Sequence, residues 1–577
     1  MCIRDRPFCP DTLPSCSLLR AINLSVLPDR LPLFTEAFRR YNWNVTTEVL
    51  QNDKSAVRSV PKYGKNKPAA APKNNRSAVS NRKNRCPKRR ENRSPQDLHF
   101  RDWKHGKRKE DTGMNTAAEK ENRKNLKMAD SIASLTAQKG GRAYFVGGFV
   151  RDKILGWENK DVDMEIHGVT PQQLNEILCS LGQPAEIGSS FGVYGLKGYD
   201  LDIAMPRREE ASGRGHRDFE IFTDPFLGTK KAAERRDFTI NSLMQDVITG
   251  EIIDHFGGAA DLQRGIIRHI HPEKFEEDPL RVLRAAQFAA RFQFAVAEET
   301  LALTREMDLS ALAKERVLSE LEKALLKAPK PSVFFQTLRA MDQLSFWFPE
   351  VQQLIGVVQS PLHHPEGDVW NHTMLVLDEA AKLRGDAENP LGFLLAALVH
   401  DFGKTVTTEE IGGKIHALKH ETEGLPIARK FLRRITQETK LIQYVLNLTE
   451  HHMRPNILAG QKAGIKSTNR MFDRVKDPQA LLLLARADHL GRTGFLPDEE
   501  NERFLQERLQ IYLETMAKPF VSGADLIAAG LTPGPDFSEL LTYAHKLRLS
   551  GIEKETALKQ TLTYRKEKKK HKMKNRD

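Results

Sequence analysis

The pattern of apolar and polar positions divides the chain into tracts of different character. Residues 54 to 127 are rich in Lys, Arg, Asn and Ser and have almost no hydrophobic periodicity. Such a tract cannot bury enough apolar surface to offset the entropy of ordering. We therefore predict that residues 1–127 form a disordered basic extension. Its first six residues, MCIRDR, back-translate to a sequence like the end of a library adapter. This indicates that part of the extension is artefactual and that the genuine protein begins near Met114 or Met128.

Short strands and tight turns are predicted from Gly141 onwards. Residues 143–146 form a brief apolar run, two glycines follow, and a helix begins near Val150. The segment DVDMEI alternates carboxylates with apolar residues, which is typical of a half-buried strand. YDLDIAM repeats that alternation around Asp200 and Asp202, and EIIDHF predicts a further strand. Residues 141–265 are therefore predicted to form a mixed α/β head.

Helical spacing dominates from residue 266 to about residue 560, and a Lys-rich tail that we expect to fray follows. Breaks rich in Pro and Gly divide this part of the chain. We predict a helical neck (266–350), a second domain (351–510) and a C-terminal helical module with a basic tail (511–577).

Composition limits the class of protein. Of 577 residues, 40% are hydrophobic and 29% are charged, which is typical of soluble globular chains. The sequence contains neither an apolar run of roughly 20 residues nor a signal peptide, so we expect a cytoplasmic protein without a membrane partner. Only Cys179 lies beyond the first hundred residues, which excludes an internal disulfide or a cysteine metal site there. The net charge of +13 favours a polyanionic partner.

Two features of the head suggest phosphoryl transfer. Asp161 and Asp163 lie two residues apart on one strand and could each offer oxygen to paired divalent ions. Upstream, the strand–Gly–Gly–helix unit brings backbone N–H groups to where a triphosphate would bind, and Arg151 would balance its charge. Taken separately, each feature is more often explained by a simpler structure: paired acids on a solvated face and an ordinary tight turn.

Four motifs occur together in a diagnostic order: GGFVRD, DVD, RRDFTINSL and EDPLRVLRAAQFAARF. In order and spacing they resemble the class II tRNA nucleotidyltransferase and bacterial poly(A) polymerase family. The resemblance implies a polymerase-beta-like α/β nucleotidyltransferase head with a mixed sheet, followed by an all-α neck, body and further domain. It also implies that Asp161 and Asp163 bind two Mg²⁺ ions and that Asp202 is the third catalytic acid. The implied nucleotide contacts are Gly147, Gly148, Arg151 and Arg236 to the triphosphate and Asp237 and Asn241 to the ribose.

The fourth motif predicts a helix with Asp278 at its N-cap and Pro279 as its first residue. Polar residues recur at every third position and form one stripe: Asp278, Arg281, Arg284 and Gln287. A solvated charged face is the simple interpretation, whereas the resemblance implies that this helix reads the incoming base. A carboxylate and a guanidinium match the amino donor and ring-nitrogen acceptor that cytosine and adenine share. The family usually has arginine where this chain has Gln287, so an ionic contact to the nucleotide is lost there.

The helical body contains the motifs WNHT, LVHDFGK, KHE, EHH and RADH. An adjacent His-Asp pair with a preceding His and a later Asp resembles the HD superfamily. The resemblance implies that His372, His400, Asp401 and Asp488 bind a divalent metal and hydrolyse phosphoesters, and that His420 and His451 extend the site to a second ion. Imidazole with carboxylate suits Mn, Ni, Co, Fe or Zn, and the sequence does not choose among them.

The fusion resembles multifunctional bacterial members of the family, whereas its poly(A) polymerases generally lack an HD domain. We therefore expect template-independent addition of the CCA end to tRNA from CTP and ATP, with basic C-terminal helices holding the tRNA. A segment from Arg208 to Asp224, with Ser212, Gly213 and Gly215, predicts the mobile loop that helps the family switch from C to A. The alternatives are a poly(A) or A-only adding enzyme and a non-catalytic RNA-binding protein. The oligomeric state stays open.

Overall fold

The computed structural model describes residues 117–157, 159, 161–188, 193–211 and 219–574. The predicted basic extension up to residue 116, the proposed start near Met114, and the loop residues Ser212, Gly213 and Gly215 lie outside the described residues. None of the helices in the described part of the chain combines the length and apolar character needed to span a bilayer.

The head consists of a mixed sheet, a separate two-stranded hairpin and flanking helices. Its elements are α1 (Ala117–Gln138), β1 (Arg142–Val146), α2 (Gly148–Ile154), β2 (Val162–His167), α3 (Pro171–Leu181), β3 (Pro184–Gly188), β4 (Val193–Leu196), β5 (Leu201–Ala204), β6 (Arg207–Ala211), β7 (Phe219–Thr223), α4 (Thr229–Glu234), β8 (Met244–Asp246), β9 (Ile252–Ile253), α5 (Gly258–Arg264) and β10 (Ile266–Ile267).

Seven strands form the head sheet in the order β3-β4-β5-β2-β1-β8-β9. Strands β2 and β5 are parallel, with Asp163 opposite Asp202, and β1 lies antiparallel to β2. The apolar side chains of β2 are Val162, Met164 and Ile166, all within the core. This matches the predicted alternation, and the pairing places the two aspartates side by side.

Helix α1 corrects one predicted boundary. Disorder was expected to residue 127, but the helix already begins at Ala117. Ala129, Ile132 and Ala133 are fully buried, and the helix packs against β1 and α3. Apolar residues spaced on one helical face thus order the segment that the polar composition alone suggested was unstructured.

The neck begins with α6 (Pro272–Glu276), α7 (Leu280–Phe292), β11 (Ala295–Val296), α8 (Glu298–Arg305), α9 (Lys314–Lys327), α10 (Ser332–Ala340), α11 (Leu344–Trp347) and α12 (Pro349–Gln352). Helix α7 packs against α9 and α10. Its start differs from the prediction, because Pro279 rather than Asp278 is the N-cap. Asp278 still satisfies the helix terminus, since its Oδ1 accepts a hydrogen bond from the Leu280 N–H at 3.1 Å.

The described residues beyond 352 form helices and one two-stranded hairpin. Its elements are α13 (Val369–Leu383), α14 (Pro390–Val399), α15 (Lys404–Thr407), β12 (Thr408–Ile411), β13 (Lys414–Ala417), α16 (His420–Glu423), α17 (Leu425–Ile435), α18 (Thr439–His451), α19 (Arg454–Gly460), α20 (Ile465–Phe472), α21 (Pro478–Leu490), α22 (Glu499–Ala517), α23 (Gly523–Ala528), α24 (Asp536–Leu549) and α25 (Lys554–Lys574).

Helix α14 is the centre of the second helical domain. Its residues from Gly392 to Val399 are all buried, and it packs against α13, α18 and α21. A helix that is apolar on every side must be enclosed by neighbours, so its C-terminal end is held inside the domain. At the other end of the chain, α25 continues through Lys574, so the Lys-rich tail that we expected to fray is helical there.

Candidate active sites

An open cleft of about 1350 Å³ lies beside the carboxylates of the head sheet. Asp161, Asp163 and Asp202 all line it. Burial and then the neighbouring Asp202 raise the pKa of Asp163 to about 6. Crowded carboxylate oxygens are the donor set that hard divalent cations such as Mg²⁺ prefer, so these residues fit the metal that the sequence implies.

Asp202 rather than Asp200 faces this cleft. Asp202 is opposite Asp163 in the parallel pair, whereas Asp200 precedes β5 and does not line the cleft. The Asp200 backbone N–H donates to Asn125 Oδ1 at 3.3 Å. The geometry therefore distinguishes two acids that the sequence pattern placed on one face.

The turn at Gly147 and Gly148 lies close to Arg236 of the RRDFTINSL motif. Gly147 has φ 61°, and a Cβ there would lie 3.0 Å from Arg236 Nη1. A side chain would therefore meet both backbone strain and a close neighbour. Gly147 and Gly148 line the same cleft as the aspartates.

Arg151 lines the cleft but already has protein partners. It is buried and donates from Nε to Asp152 Oδ1 at 2.7 Å and from Nη1 to Asn241 Oδ1 at 2.6 Å. Its guanidinium also lies 4.6 Å from the ring centre of Phe292. These contacts fix its orientation at the wall of the cleft.

Glu165 is a buried carboxylate that our sequence analysis did not assign to the site. Its Oε2 accepts a hydrogen bond from Arg236 Nη2 at 3.3 Å, and its Oε1 lies 2.8 Å from His167 Nε2. Burial acts to raise its pKa, but His167 and Arg236 outweigh burial and lower the pKa to about 2. Glu165 is the third acid of the alternating DVDMEI segment, which was the available signal.

Asp237 and Asn241 form one network with a residue of α7. Asp237 Oδ1 accepts from Asn241 Nδ2 at 2.9 Å, and Oδ2 accepts from Arg284 Nε at 2.8 Å. Burial alone would raise the pKa of Asp237, but Arg284 and Asn241 lower it. Asp237 is therefore ionised, and its ion pair with Arg284 links the RRDFTINSL motif to α7.

Asp278, which directly precedes the Pro279 N-cap, lines the cleft together with Arg281, Arg284 and Gln287 of α7, in line with the predicted spacing. Asp278 Oδ2 accepts from Arg316 Nη2 at 2.9 Å. Arg281 donates to the Arg235 carbonyl at 2.8 Å and also to the Lys274 carbonyl. Both members of the predicted base-reading pair thus engage the protein in this conformation. Arg316 lies on α9, and no local sequence signal indicated it.

Gln287 is almost completely buried in the wall of the cleft, at 1% exposure. Its Nε2 has no hydrogen-bond partner among the described residues. A buried donor without an acceptor costs roughly 1–3 kcal/mol, so this amide would gain from an acceptor on a bound ligand.

A second, fully buried cluster occupies the helical domain. His372 Nε2 lies 3.0 Å from Asp488 Oδ1 and 3.6 Å from Asp401 Oδ2. His400 Nε2 lies 3.2 Å from Asp401 Oδ2 and has no hydrogen-bond partner within the described part of the chain. These four residues, predicted from separate motifs, converge at the end of α14. An unpaired imidazole nitrogen beside carboxylate oxygens fits a divalent metal.

The structure corrects one predicted ligand. His452, rather than His451, joins the cluster, with Nε2 at 3.3 Å from His420 Nε2. His452 is fully buried, whereas His451 is half-buried and lies outside the cluster. Successive helical residues point about 100° apart, so only one of two adjacent histidines at the end of α18 can face the cluster.

Two further residues support the cluster without having been predicted. Glu366 Oε1 lies 2.8 Å from His372 Nδ1, which orients that ring. Lys404 Nζ lies 2.7 Å from Asp401 Oδ2 and donates to Gln359 Oε1 at 2.7 Å. Lys404 is the lysine of the LVHDFGK motif, whereas Glu366 lies in an irregular segment with no motif of its own.

Two family models match these parts of the chain. Residues 143–268 match the poly A polymerase head domain, and residues 369–493 match the HD domain. The molecule is thus a nucleotidyltransferase head joined to an HD phosphohydrolase domain.

Curated relatives align with this chain over most of their own length. The multifunctional CCA protein of Actinobacillus pleuropneumoniae serotype 5b (strain L20) is 38% identical over 378 residues, covering 63% of this chain and 88% of that protein. That of Pasteurella multocida (strain Pm70) is 35% identical over 395 residues, covering 66% and 91%. The chain belongs to the family of multifunctional CCA proteins, and the resemblance stated from the sequence motifs is confirmed.

Solved structures support the fold. The Thermotoga maritima CCA-adding enzyme complexed with tRNA has a TM-score of 0.52 at 22% identity, covering 76% of this chain and 95% of that one. The Bacillus stearothermophilus CCA-adding enzyme in complex with CTP has a TM-score of 0.55 at 22% identity, covering 79% and 100%. The predicted fold class, a mixed α/β head followed by a helical body, is confirmed.

Proposed function

We propose that the head adds the CCA end to tRNA, using CTP and ATP, in the cytoplasm. The observation that carries the proposal is the shared cleft, which is lined both by three aspartates and by the four residues of the polar stripe. The aspartates are suited to metal-assisted transfer, and the carboxylate and guanidinium of the stripe are suited to reading a base. The names of the relatives support the CCA assignment.

Asp161, Asp163 and Asp202 would hold two Mg²⁺ ions, which supply stabilisation of the attacking 3′ hydroxyl and the departing pyrophosphate. The cationic side chains around the cleft balance the triphosphate. Glu165 orients Arg236 through a hydrogen bond, and Asp152 and Asn241 orient Arg151 in the same way. Because these partners are buried, both guanidiniums are positioned before the nucleotide binds.

Base selection is assigned to Asp278 and Arg281. The Asp278 carboxylate would accept from the amino group of cytosine or adenine, and Arg281 would donate to the adjacent ring nitrogen. In this conformation both side chains are engaged by Arg316 and backbone carbonyls, so nucleotide binding would exchange those contacts for contacts with the base. Uracil and guanine present the reverse polarity and would leave both groups unmatched.

The HD domain is proposed to hydrolyse phosphoesters with a divalent transition metal held by His372, His400, Asp401 and Asp488. When bound, that metal supplies polarisation of the phosphoryl oxygen and an activated water. The neighbouring cations Lys404 and Arg492 line a pocket of about 260 Å³ beside the cluster and would hold the phosphate.

The direct test of the head activity uses tRNA that lacks its CCA end and each nucleoside triphosphate alone. CTP alone should extend the tRNA by C residues, and ATP alone should extend only a tRNA that already ends in CC. Addition of A to the bare end without CTP would instead support the A-only or poly(A)-adding alternative.

A further inference from the structure

A second opening, which we call the side groove, adjoins the catalytic cleft of the head. It has a volume of about 340 Å³ and shares two lining residues, Arg207 and Arg235, with the cleft. Arg281 lies at the boundary, because it donates to the backbone carbonyls of Arg235 and Lys274, and both of these residues line the side groove. The side groove therefore begins next to the residue to which base reading is assigned.

Positive charge dominates the lining of the side groove. Its acids are Asp224 and Glu234, which the cations outnumber. Lys231 is exposed, and Lys274 pairs with Glu277 at 2.7 Å in a partly exposed position where such a pair is weak. A groove with excess positive charge suits a phosphate backbone. Its cationic residues are Arg207, Arg208, Lys231, Arg235 and Lys274.

An exposed aromatic ring also lines the side groove. Phe226 is 71% exposed, more than any other Phe or Trp side chain in the described part of the chain. Its backbone is nevertheless fixed, because its N–H donates to Asp224 Oδ1 at 3.1 Å and the adjacent Pro225 carbonyl accepts from the Gly168 N–H at 2.8 Å. An aromatic ring beside a row of cations is the combination that binds single-stranded nucleic acid, since bases stack on the ring and the cations follow the backbone.

We propose that the side groove binds the unpaired 3′ end of the RNA substrate, with Phe226 stacking on a base and Lys231 contacting a phosphate. The inference rests on the proposed nucleotide addition and names residues that hold the RNA end beside the cleft. The volume suits one nucleotide rather than a duplex, because sites for small ligands occupy roughly 300–1,000 Å³. Every base has a π face, so stacking on Phe226 tolerates the change of terminal base as the end grows.

The test of Phe226 measures addition of A to tRNA ending in CC by the full-length chain. Phe226→Ala should raise KM for the tRNA by about 10-fold, as expected for loss of one stacked base, and leave KM for ATP unchanged. Phe226→Trp should keep KM for the tRNA near that of the unaltered protein, whereas Phe226→Leu, which is apolar but has no π face, should resemble Phe226→Ala. An unchanged KM for the tRNA in Phe226→Ala, or full recovery in Phe226→Leu, would overturn the proposal.

The test of Lys231 measures binding of an RNA hairpin with an unpaired 3′ end, without nucleotide, at several salt concentrations. Lys231→Ala should lower the slope of log Kd against log salt concentration by about 0.7, the value for one phosphate of a single strand. Lys230→Ala is the matched control, because Lys230 is exposed on the same helix but does not line the side groove. A blunt-ended hairpin should bind equally to Phe226→Ala, Lys231→Ala and the unaltered protein. Equal weakening of both hairpins, or equal effects of the two lysine variants, would contradict the assignment.

The binding measurement is independent of nucleotide addition, so the two proposals can fail separately. End-dependent binding that Phe226→Ala removes, in a protein that adds no nucleotide, would contradict the proposed function but leave the side groove assigned to RNA. Normal CCA addition with unchanged RNA affinity in Phe226→Ala would overturn the side-groove assignment alone and would leave the exposed ring to a protein contact.

Discussion

Asp202 and Asp200 differ in position although they share a sequence pattern. Asp202 pairs with Asp163 across the parallel strands and lines the cleft, whereas Asp200 does not line it. The role of each acid in the head therefore depends on strand register, because register determines which side chains lie next to each other.

Asp202→Ala should lower kcat for addition of both C and A by at least about 100-fold, because metal stabilisation contributes several kcal/mol to such a step. Asp200→Ala is the matched control and should keep activity near that of the unaltered protein. The measurement is single-turnover extension of tRNA with CTP and then ATP. Equal losses in the two variants would show that the third acid has been misassigned.

Glu165 is a positioning residue because it acts through Arg236. Glu165→Gln removes the charge that holds the guanidinium, so KM for both CTP and ATP should rise by roughly 10-fold, as expected for one charged hydrogen bond. We expect a smaller change in kcat. Glu176→Gln, at an exposed ion pair with Lys139, is the control. A fall in kcat with unchanged KM would argue against this role.

Asp278→Asn tests base reading by a single atom exchange. The amide can rotate to donate to the uracil carbonyl, so discrimination between CTP and UTP should shrink by about one to two decades. Arg281→Ala should weaken CTP and ATP together. The measurement is kcat/KM for CTP, ATP and UTP on matched tRNA ends. If Asp278→Asn lost rate with an unchanged CTP to UTP ratio, α7 would have only a structural role.

At the scale of elements, α7 and α14 both position functional groups through their packing. Helix α7 buries Leu283 and Ala286 while its polar stripe lines the cleft. Helix α14 packs against α9, α13, α18 and α21, and His400 and Asp401 follow directly at its C-terminal end. In α7 an apolar face fixes the direction of the polar stripe, whereas in α14 burial on every side fixes the position of the helix end.

The hairpin of β6 and β7 is a separate element whose strands pair from Arg207 with Thr223 to Ala211 with Phe219. Replacing residues 212–218 by an Asn-Gly turn should keep that register while removing the residues between the two strands. We expect CC addition to persist and the final A to be impaired, because the resemblance assigns this loop to the change from C to A. Extension of tRNA ending in CC with ATP is the measurement. Equal loss of both additions would indicate a general folding role.

At the scale of the whole molecule, the sequence predicted features that are local along the chain. The alternating acids and the polar stripe each occupy one segment, and periodicity indicated their common face. The role of the His-Asp pair came from the family resemblance. Two contacts between distant segments were missed, although the resemblance had implied that His372, His400, Asp401 and Asp488 come together. Arg316 reaches Asp278 from α9, and Glu366 orients His372 from an irregular segment.

The sequence pattern also could not distinguish between adjacent residues. Nothing in the sequence favours His451 or His452 as the buried histidine, and only the packing of α18 determines which ring is buried. Likewise, α1 is ordered by its contacts with β1 and α3 rather than by its composition. Tertiary packing therefore decided the details that local propensity left open.

The most direct measurement is sequencing of tRNA 3′ ends after incubation with all four nucleoside triphosphates, in parallel for the unaltered protein and for Asp163→Asn. If the head cleft builds the CCA end, the unaltered protein should convert tRNA lacking CCA into molecules that end in CCA and stop there. Asp163→Asn should leave the ends unextended. Poly(A) or mixed tails made by the unaltered protein, or CCA ends made at a comparable rate by Asp163→Asn, would contradict the proposed function and its site.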